Sequence, residues 1–200
     1  MSEDIFADPA DTREEILAAT YRSLCAHGYA DLSIQKIGAE FPKSPSLVYH
    51  HYDNKDDLVI ACLEYLLSNI EENLTRDQDE SAREEIDRLV TWALGAADDR
   101  GDETALAALV ELRGRAPHNA DFRHYFRRSD EVFETYICRL IESGIQSGEF
   151  AACDAESIAR TVHTMITGAI VRRSTTLDAE ALEPMIEEVG GYLAERLVDR

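Results

Sequence analysis

The stretch from Ser33 to Leu58, SIQKIGAEFPKSPSLVYHHYDNKDDL, constrains this chain more than any other feature. It reads as two short helices joined by a tight turn, with a third starting directly afterwards. Ile34 and Ile37 share one helical face behind Ser33, whose side-chain oxygen can cap the first helix. The chain turns through Phe41-Pro42-Lys43. Ser44 and Pro45 then restart a helix: the serine satisfies an orphan N–H, and proline at the first helical position has none to satisfy. The helix that follows is about two turns long and carries Ser46, Tyr49 and His50. So short and polar a helix is poor core material. It fits one whose outer face touches something else.

Around this stretch a longer ordered series appears. A first helix, Thr12–His27, carries Ile16-Leu17-x-Ala19 and stops at Gly28-Tyr29. Leu47-Val48-Tyr49-His50-His51-Tyr52 closes the short helix, and Asn54-Lys55-Asp56-Asp57-Leu58 opens the fourth. In order and spacing, residues 12–58 resemble the DNA-binding domain of the TetR family of transcriptional regulators. The turn departs from the family's usual Ala-Gly-Val type. Pro42 stiffens it, Lys43 puts a cation where an apolar residue is usual, and Phe41 is expected to supply the missing apolar contact between helices.

The whole chain of 200 residues reads as helix, with no alternating β-branched runs and widely spaced turn signals. The expected helices are 12–27, 33–40, 44–51, 54–74, 81–98, 102–115, 119–147, 154–174 and 179–198. Asn54 with Asp57, and Ser81 with Glu84, resemble capping boxes. Asp102, Asn119, Asp154 and Asp178 are plausible caps. The segment Gly144–Phe150 ends the seventh helix and resembles a turn common in the family. The expected fold is all-α, with a three-helix helix-turn-helix domain at residues 1–56 and a helical ligand-binding and dimerisation domain at 57–200. The fourth helix, with Leu58, Cys62, Tyr65, Leu66 and Ile70 facing inward, is expected to join them.

Charge is the unusual part of the composition. Forty acids against twenty bases give −20, whereas a DNA-binding protein is expected to be basic. Even residues 1–62 hold eleven acids against five bases. Only three of the twenty bases are lysine. An acid-rich, lysine-poor surface suits a cytoplasm of molar salt, where like-charge repulsion is screened to within about 3 Å. All three lysines, Lys36, Lys43 and Lys55, fall in the helix-turn-helix and its exit, where phosphates would lie. There is no apolar run long enough to span a membrane and no signal-peptide pattern, so a cytoplasmic location is expected. Cys25, Cys62, Cys138 and Cys153 show neither paired nor metal-site spacing, and read as free thiols.

The resemblance assigns roles. Ser33, Lys36, Lys43, Ser44, Ser46, Leu47, Tyr49, His50 and Lys55 are expected at the DNA. Among these, Ser44 and Tyr49 would reach phosphates, and Ser46, Leu47 and His50 base edges. His51 and Tyr52 read as core support. Two recognition helices of a homodimer would read a palindromic operator on double-stranded DNA. Ile158, Val162, Met165 and Ala169, with Leu182, Ile186, Val189 and Leu193, form apolar stripes on the last two helices. The resemblance implies that these stripes pair with their copies in a second chain. Tyr65, Trp92, Phe126, Phe133 and Tyr136 are candidates for a pocket holding a partly apolar small-molecule effector.

No cofactor or metal is implied, and no catalytic motif is present: neither a nucleophile elbow, a phosphate loop, an HExxH nor a paired-cysteine site. The expected function is a sequence-specific repressor released by a ligand. The alternatives are a DNA-binding architectural or recruiting protein without a ligand, and an activator, which sequence does not separate from a repressor.

Overall fold

The computed structural model describes residues 5–41, 43–44, 46–74, 81–93, 100–176 and 182–197. Among these the chain forms nine helices: α1 Thr12–His27, α2 Ile34–Glu40, α3 Ser46–His51, α4 Lys55–Leu74, α5 Ala82–Ala93, α6 Arg100–Arg113, α7 Ala120–Ser147, α8 Ala155–Thr175 and α9 Leu182–Leu197. No strand occurs among the described residues.

The starts are chemical. An N-cap oxygen accepts an otherwise unpaired N–H in the first turn. Asp11 accepts from Glu14 N–H at 2.9 Å, Ser33 from Lys36 N–H at 3.2 Å, and Asn54 from Asp57 N–H at 3.0 Å. Ser81 and Glu84 exchange bonds at 3.0 and 3.2 Å, a reciprocal capping box. Asn119 accepts from Asp121 N–H at 2.9 Å, and Asp154 from Ser157 N–H at 3.1 Å. α6 begins at Arg100, two residues ahead of the expected cap Asp102, whose side chain lies outside the described residues. Pro42, Pro45 and Asp178 lie outside the described residues.

The chain divides into two compact units, Met1–Arg76 with Thr104–Arg127, and Asp77–Glu103 with Arg128–Arg200. In the first, α1 packs on α2 and α4. Ile16, Leu17 and Ala19 of α1, Ile37 of α2, Val48 of α3, and Leu58 and Val59 of α4 are fully buried there. A six-residue helix has no stability of its own. α3 is held by burying Val48, whose side chain contributes about 1.5–3 kcal/mol. The inward stripe of α4 is Leu58, Val59, Cys62, Leu63 and Leu67. Leu66 and Ile70, expected inside, are half-buried. The segment before α1 also joins this core: Phe6 is buried and stacks on Tyr65 at 5.4 Å, with Tyr21 at 5.5 Å. α4 lies wholly in this unit; α6 and α7 are the helices whose residues the two units share.

In the second unit α5 packs on α8 and α9, which also pack on each other. Ile86, Ile137, Ile141, Ile158, Val162, Leu193 and Leu197 form its centre. α7 ends at a turn where Glu149 and Phe150 both donate to Gly144 O, at 2.9 and 3.0 Å, and Gly148 takes φ 80°. Ile158, Val162, Ala169, Val189 and Leu193, expected at a partner face, are buried within their own chain. Ile186 is half-buried, and the Leu182 side chain lies outside the described residues. Met165 is the exception at 37% exposure, and Val171 nearby on α8 is equally exposed.

A Cβ added at Gly144 would stand 2.1 Å from Cδ2 of the Phe150 ring. Gly144→Ala is therefore expected to displace Phe150 and lower the unfolding free energy by about 1–3 kcal/mol. Urea denaturation measures this, and an unchanged midpoint would contradict the packing described.

Candidate functional site

α3 presents an outward face with little structural purpose. Ser46, Tyr49, His50 and His51 are exposed and Leu47 is half-buried, around the single anchor Val48. Tyr49 is 59% exposed, with its ring and hydroxyl both open to an approaching partner. The Ser44 and Ser46 hydroxyls share a hydrogen bond of 2.8 Å. His51, read from sequence as core support, is exposed, and its ring lies 5.9 Å from that of His50. Tyr52 is half-buried and hydrogen-bonds Arg13. Ser33 is taken up in capping α2, while Lys36 is exposed on that helix.

The other two lysines are engaged within the chain. Lys43 Nζ lies 2.6 Å from the Glu15 carboxylate and 3.1 Å from Thr12 Oγ1. Lys55 points inward. Its Nζ donates to the carbonyls of Tyr29 at 3.0 Å and Leu32 at 3.2 Å, and sits 4.1 Å from the Tyr29 ring centroid. The turn after α1 leaves carbonyls that need a donor, and Lys55 meets that need rather than waiting for a phosphate. The ammonium of Lys55, a residue expected at the DNA, is thus engaged within the chain.

Tyr29 is the hub of a clamp that sequence reading missed. Its N–H and that of Ala30 both donate to Glu111 of α6, at 2.7 and 2.8 Å. Its hydroxyl donates to Asp56, which also accepts from Asn119 Nδ2 at 3.1 Å. Arg115 lies over its ring at 4.3 Å, and Phe122 of α7 meets it edge-on at 5.9 Å. Segment 104–127 thus grips the α1–α2 turn and the start of α4, all within the first unit. The Gly28-Tyr29 ending of α1 was visible in sequence. Its acceptor, 82 residues away, was not.

The five pocket candidates do not act alike. Tyr65 stacks on Phe6, and Phe126 lies under Arg113 at 4.7 Å; both belong to the first unit. In the second, Trp92, Phe133 and His163 stack in series, at 6.4 and 6.0 Å. Carboxylates of Asp130 and Glu134 lie 3.8 and 3.7 Å from the His163 ring nitrogens. Tyr136 donates to Glu85 at 3.0 Å. All four cysteines are free, and burial pushes each thiol upward, which disfavours the reactive thiolate. Among the described residues, no group of His, Cys, Asp and Glu has metal-site geometry, and no helix is long and apolar enough to cross a membrane.

Comparison with known proteins follows this geometry. The profile of the BetI-type transcriptional repressor C-terminal domain matches residues 82–198. That of bacterial regulatory proteins of the tetR family matches 16–62. The HTH-type transcriptional regulator BetI of Brucella anthropi is 25% identical, over 93% of this chain and 93% of its own length. A TetR transcription regulator from Haloarcula marismortui superposes with TM-score 0.82 at 34% identity, covering 94% of this chain and 99% of that one. A transcriptional regulator from Saccharomonospora viridis, solved in complex with choline, superposes with TM-score 0.78 at 20% identity, over 94% and 98%.

Tyr29 and Tyr136 are each pushed up to about 12, by burial first and then by the carboxylate each one faces. The neutral phenol is the form the fold favours. Its stabilisation is therefore complete below the ordinary tyrosine value of about 10 and is lost as pH rises from there towards 12. Absorbance titration of the folded protein should show a late phase of phenol ionisation, with Tyr29→Phe and Tyr136→Phe each removing one phenol from it. All phenols titrating together near 10 would contradict the two contacts.

Proposed function

The chain belongs to the TetR family of transcriptional regulators, and from that membership we propose that it is a homodimeric repressor, released from a roughly palindromic operator by a small molecule. It is a regulator and not an enzyme. One observation carries the ligand-released reading. Glu111, Arg115, Asn119 and Phe122, distant in sequence from the helix-turn-helix, hold Tyr29 and Asp56. A displacement of the α6–α7 segment must move the α1–α2 turn with it, or break two charge-assisted hydrogen bonds of about 1.5–3 kcal/mol each. That is the scale of coupling by which an effector weakens DNA binding.

In this reading, residues 1–56 read DNA through Ser44, Ser46, Leu47, Tyr49 and His50 of α3 and its approach, with Lys36 alongside. Residues 57–200 bind effector and partner. The effector we favour is a small organic cation. Aromatic faces attract cations, and Trp92 and Phe133 stand beside Asp130 and Glu134. A neighbour in fold was solved with choline, a cation of this kind. The acid-rich, lysine-poor composition, together with the Haloarcula relative at 34% identity, supports a cytoplasm of high salt.

The pairing face we propose is the exposed stripe Met165, Gly168 and Val171 of α8, with the outer side of α9. Among the described residues, and apart from the helix's own nearby backbone, nothing lies within 4 Å of a Cβ added at Gly168, Gly190 or Gly191, which leaves room there for a second backbone. Met165→Glu with Val171→Glu is expected to give a folded monomer by sedimentation velocity. A dimer that persists would place the interface elsewhere.

The regulator itself is tested by fluorescence anisotropy on DNA from upstream of its own gene, from low to molar KCl. Sequence-selective binding that survives molar salt is expected, with a loss of at least about tenfold in Tyr49→Ala, equivalent to about 1.4 kcal/mol. Choline should change the fluorescence of Trp92, the only tryptophan of the chain, and weaken DNA binding. Glu111→Gln should bind DNA yet respond less to choline. Equal release in wild type and Glu111→Gln would remove the clamp from the mechanism.

A further inference from the structure

The helix that faces DNA in the proposed reading contains neither lysine nor arginine. Its sequence is SLVYHH, with no acid in its first turn and only histidines as bases in its last. Two of the three lysines expected to serve it are engaged within the chain, Lys43 with Glu15 and Thr12 and Lys55 with two carbonyls and the Tyr29 ring, which leaves Lys36 exposed on α2. What remains on α3 is a pair of exposed imidazoles, His50 and His51, with ring centroids 5.9 Å apart. The chain has six histidines, and two of them stand side by side here.

We propose that His50 and His51 supply the positive charge of the DNA-reading surface by taking up protons as it docks, so that operator binding is coupled to pH. The inference rests on α3 being the DNA-reading helix. Imidazole is the side chain whose charge changes between about pH 5 and 8. A phosphate beside it favours the charged form, in which both ring nitrogens donate hydrogen bonds. In concentrated salt only charges in contact escape screening, and an imidazolium on the docking helix meets that condition.

The surrounding charges do not substitute for it. On α1 and its cap, Asp11 holds the Glu14 N–H and Glu15 holds Lys43. On α4, Asp56 holds Tyr29 and Asn119, and Asp57 is joined to Asn54. α2, which packs on α3, offers Lys36 and Glu40, and the turn into α4 adds Asp53. Lys36, Glu40 and Asp53 are all exposed there.

The test uses the full-length protein and a duplex that it enriches from a random-sequence pool at pH 6. Anisotropy titrations run from pH 5.5 to 8.5 at fixed KCl. The expected result is an affinity that falls about tenfold or more between pH 6 and 8, as one or more linked protons are lost. His50→Gln/His51→Gln should flatten the profile at low affinity. His50→Arg/His51→Arg, permanently charged, should flatten it at high affinity, while His118→Gln should keep the wild-type slope. Unchanged circular dichroism establishes that the variants fold. Sequence-selective binding with the same affinity at every pH overturns this inference and leaves the regulator intact. If no duplex is enriched, the DNA-reading assignment fails and the inference falls with it.

Discussion

The structure of the N-terminal unit depends on one carboxylate. α1 ends at Gly28, whose φ of 68° turns the chain sharply and leaves the N–H groups of Tyr29 and Ala30 without helical acceptors. Glu111 takes both, one on each oxygen. A Cβ at residue 28 would stand 2.9 Å from that carboxylate, so glycine here serves the contact as well as the backbone angle. With the turn held, the Tyr29 ring falls between Asp56, Arg115, Lys55 and Phe122. The start of α4 and the α6–α7 turn are fixed by the same side chain.

The clamp also explains how an acidic protein uses its few cations. With forty acids and twenty bases, charge is scarce on the positive side. Two of the three lysines near α3 are consumed by local needs: an ammonium satisfies the carbonyls after α1, and another neutralises the half-buried Glu15. A buried or half-buried polar group left unpaired costs more than a surface cation gains in salt water. The outer face of α3 is consequently built from hydroxyls, a phenol and imidazoles, groups that bind through contact and geometry rather than through long-range field.

The second unit is organised differently. Its apolar stripes on α8 and α9 are wide enough to serve the chain's own core and still leave Met165 and Val171 outside. Its aromatic stack sits among carboxylates. One helix, α7, carries Phe122 of the clamp and Phe133 of the stack. In the proposed reading, that helix is what an effector would have to move.

Much of this was legible in the residues themselves. The helical class, most caps and the approximate helix ends follow from side chains acting on backbone within one turn. The exposed face of the short helix follows from Ser46, Tyr49, His50 and His51, which leave Val48 as its one fully buried anchor. These are short-range effects, and the chain encodes them directly. Long-range partners were decided only by tertiary structure. The inward Lys55, the Phe6 arm, the exposed His51 and the Glu111 clamp each depend on which distant group arrives to satisfy or cover a local surplus. The periodicity of α8 marked an apolar stripe, but not which part of it the chain would bury against itself. A helical pattern records how much apolar surface there is. Packing decides what covers it.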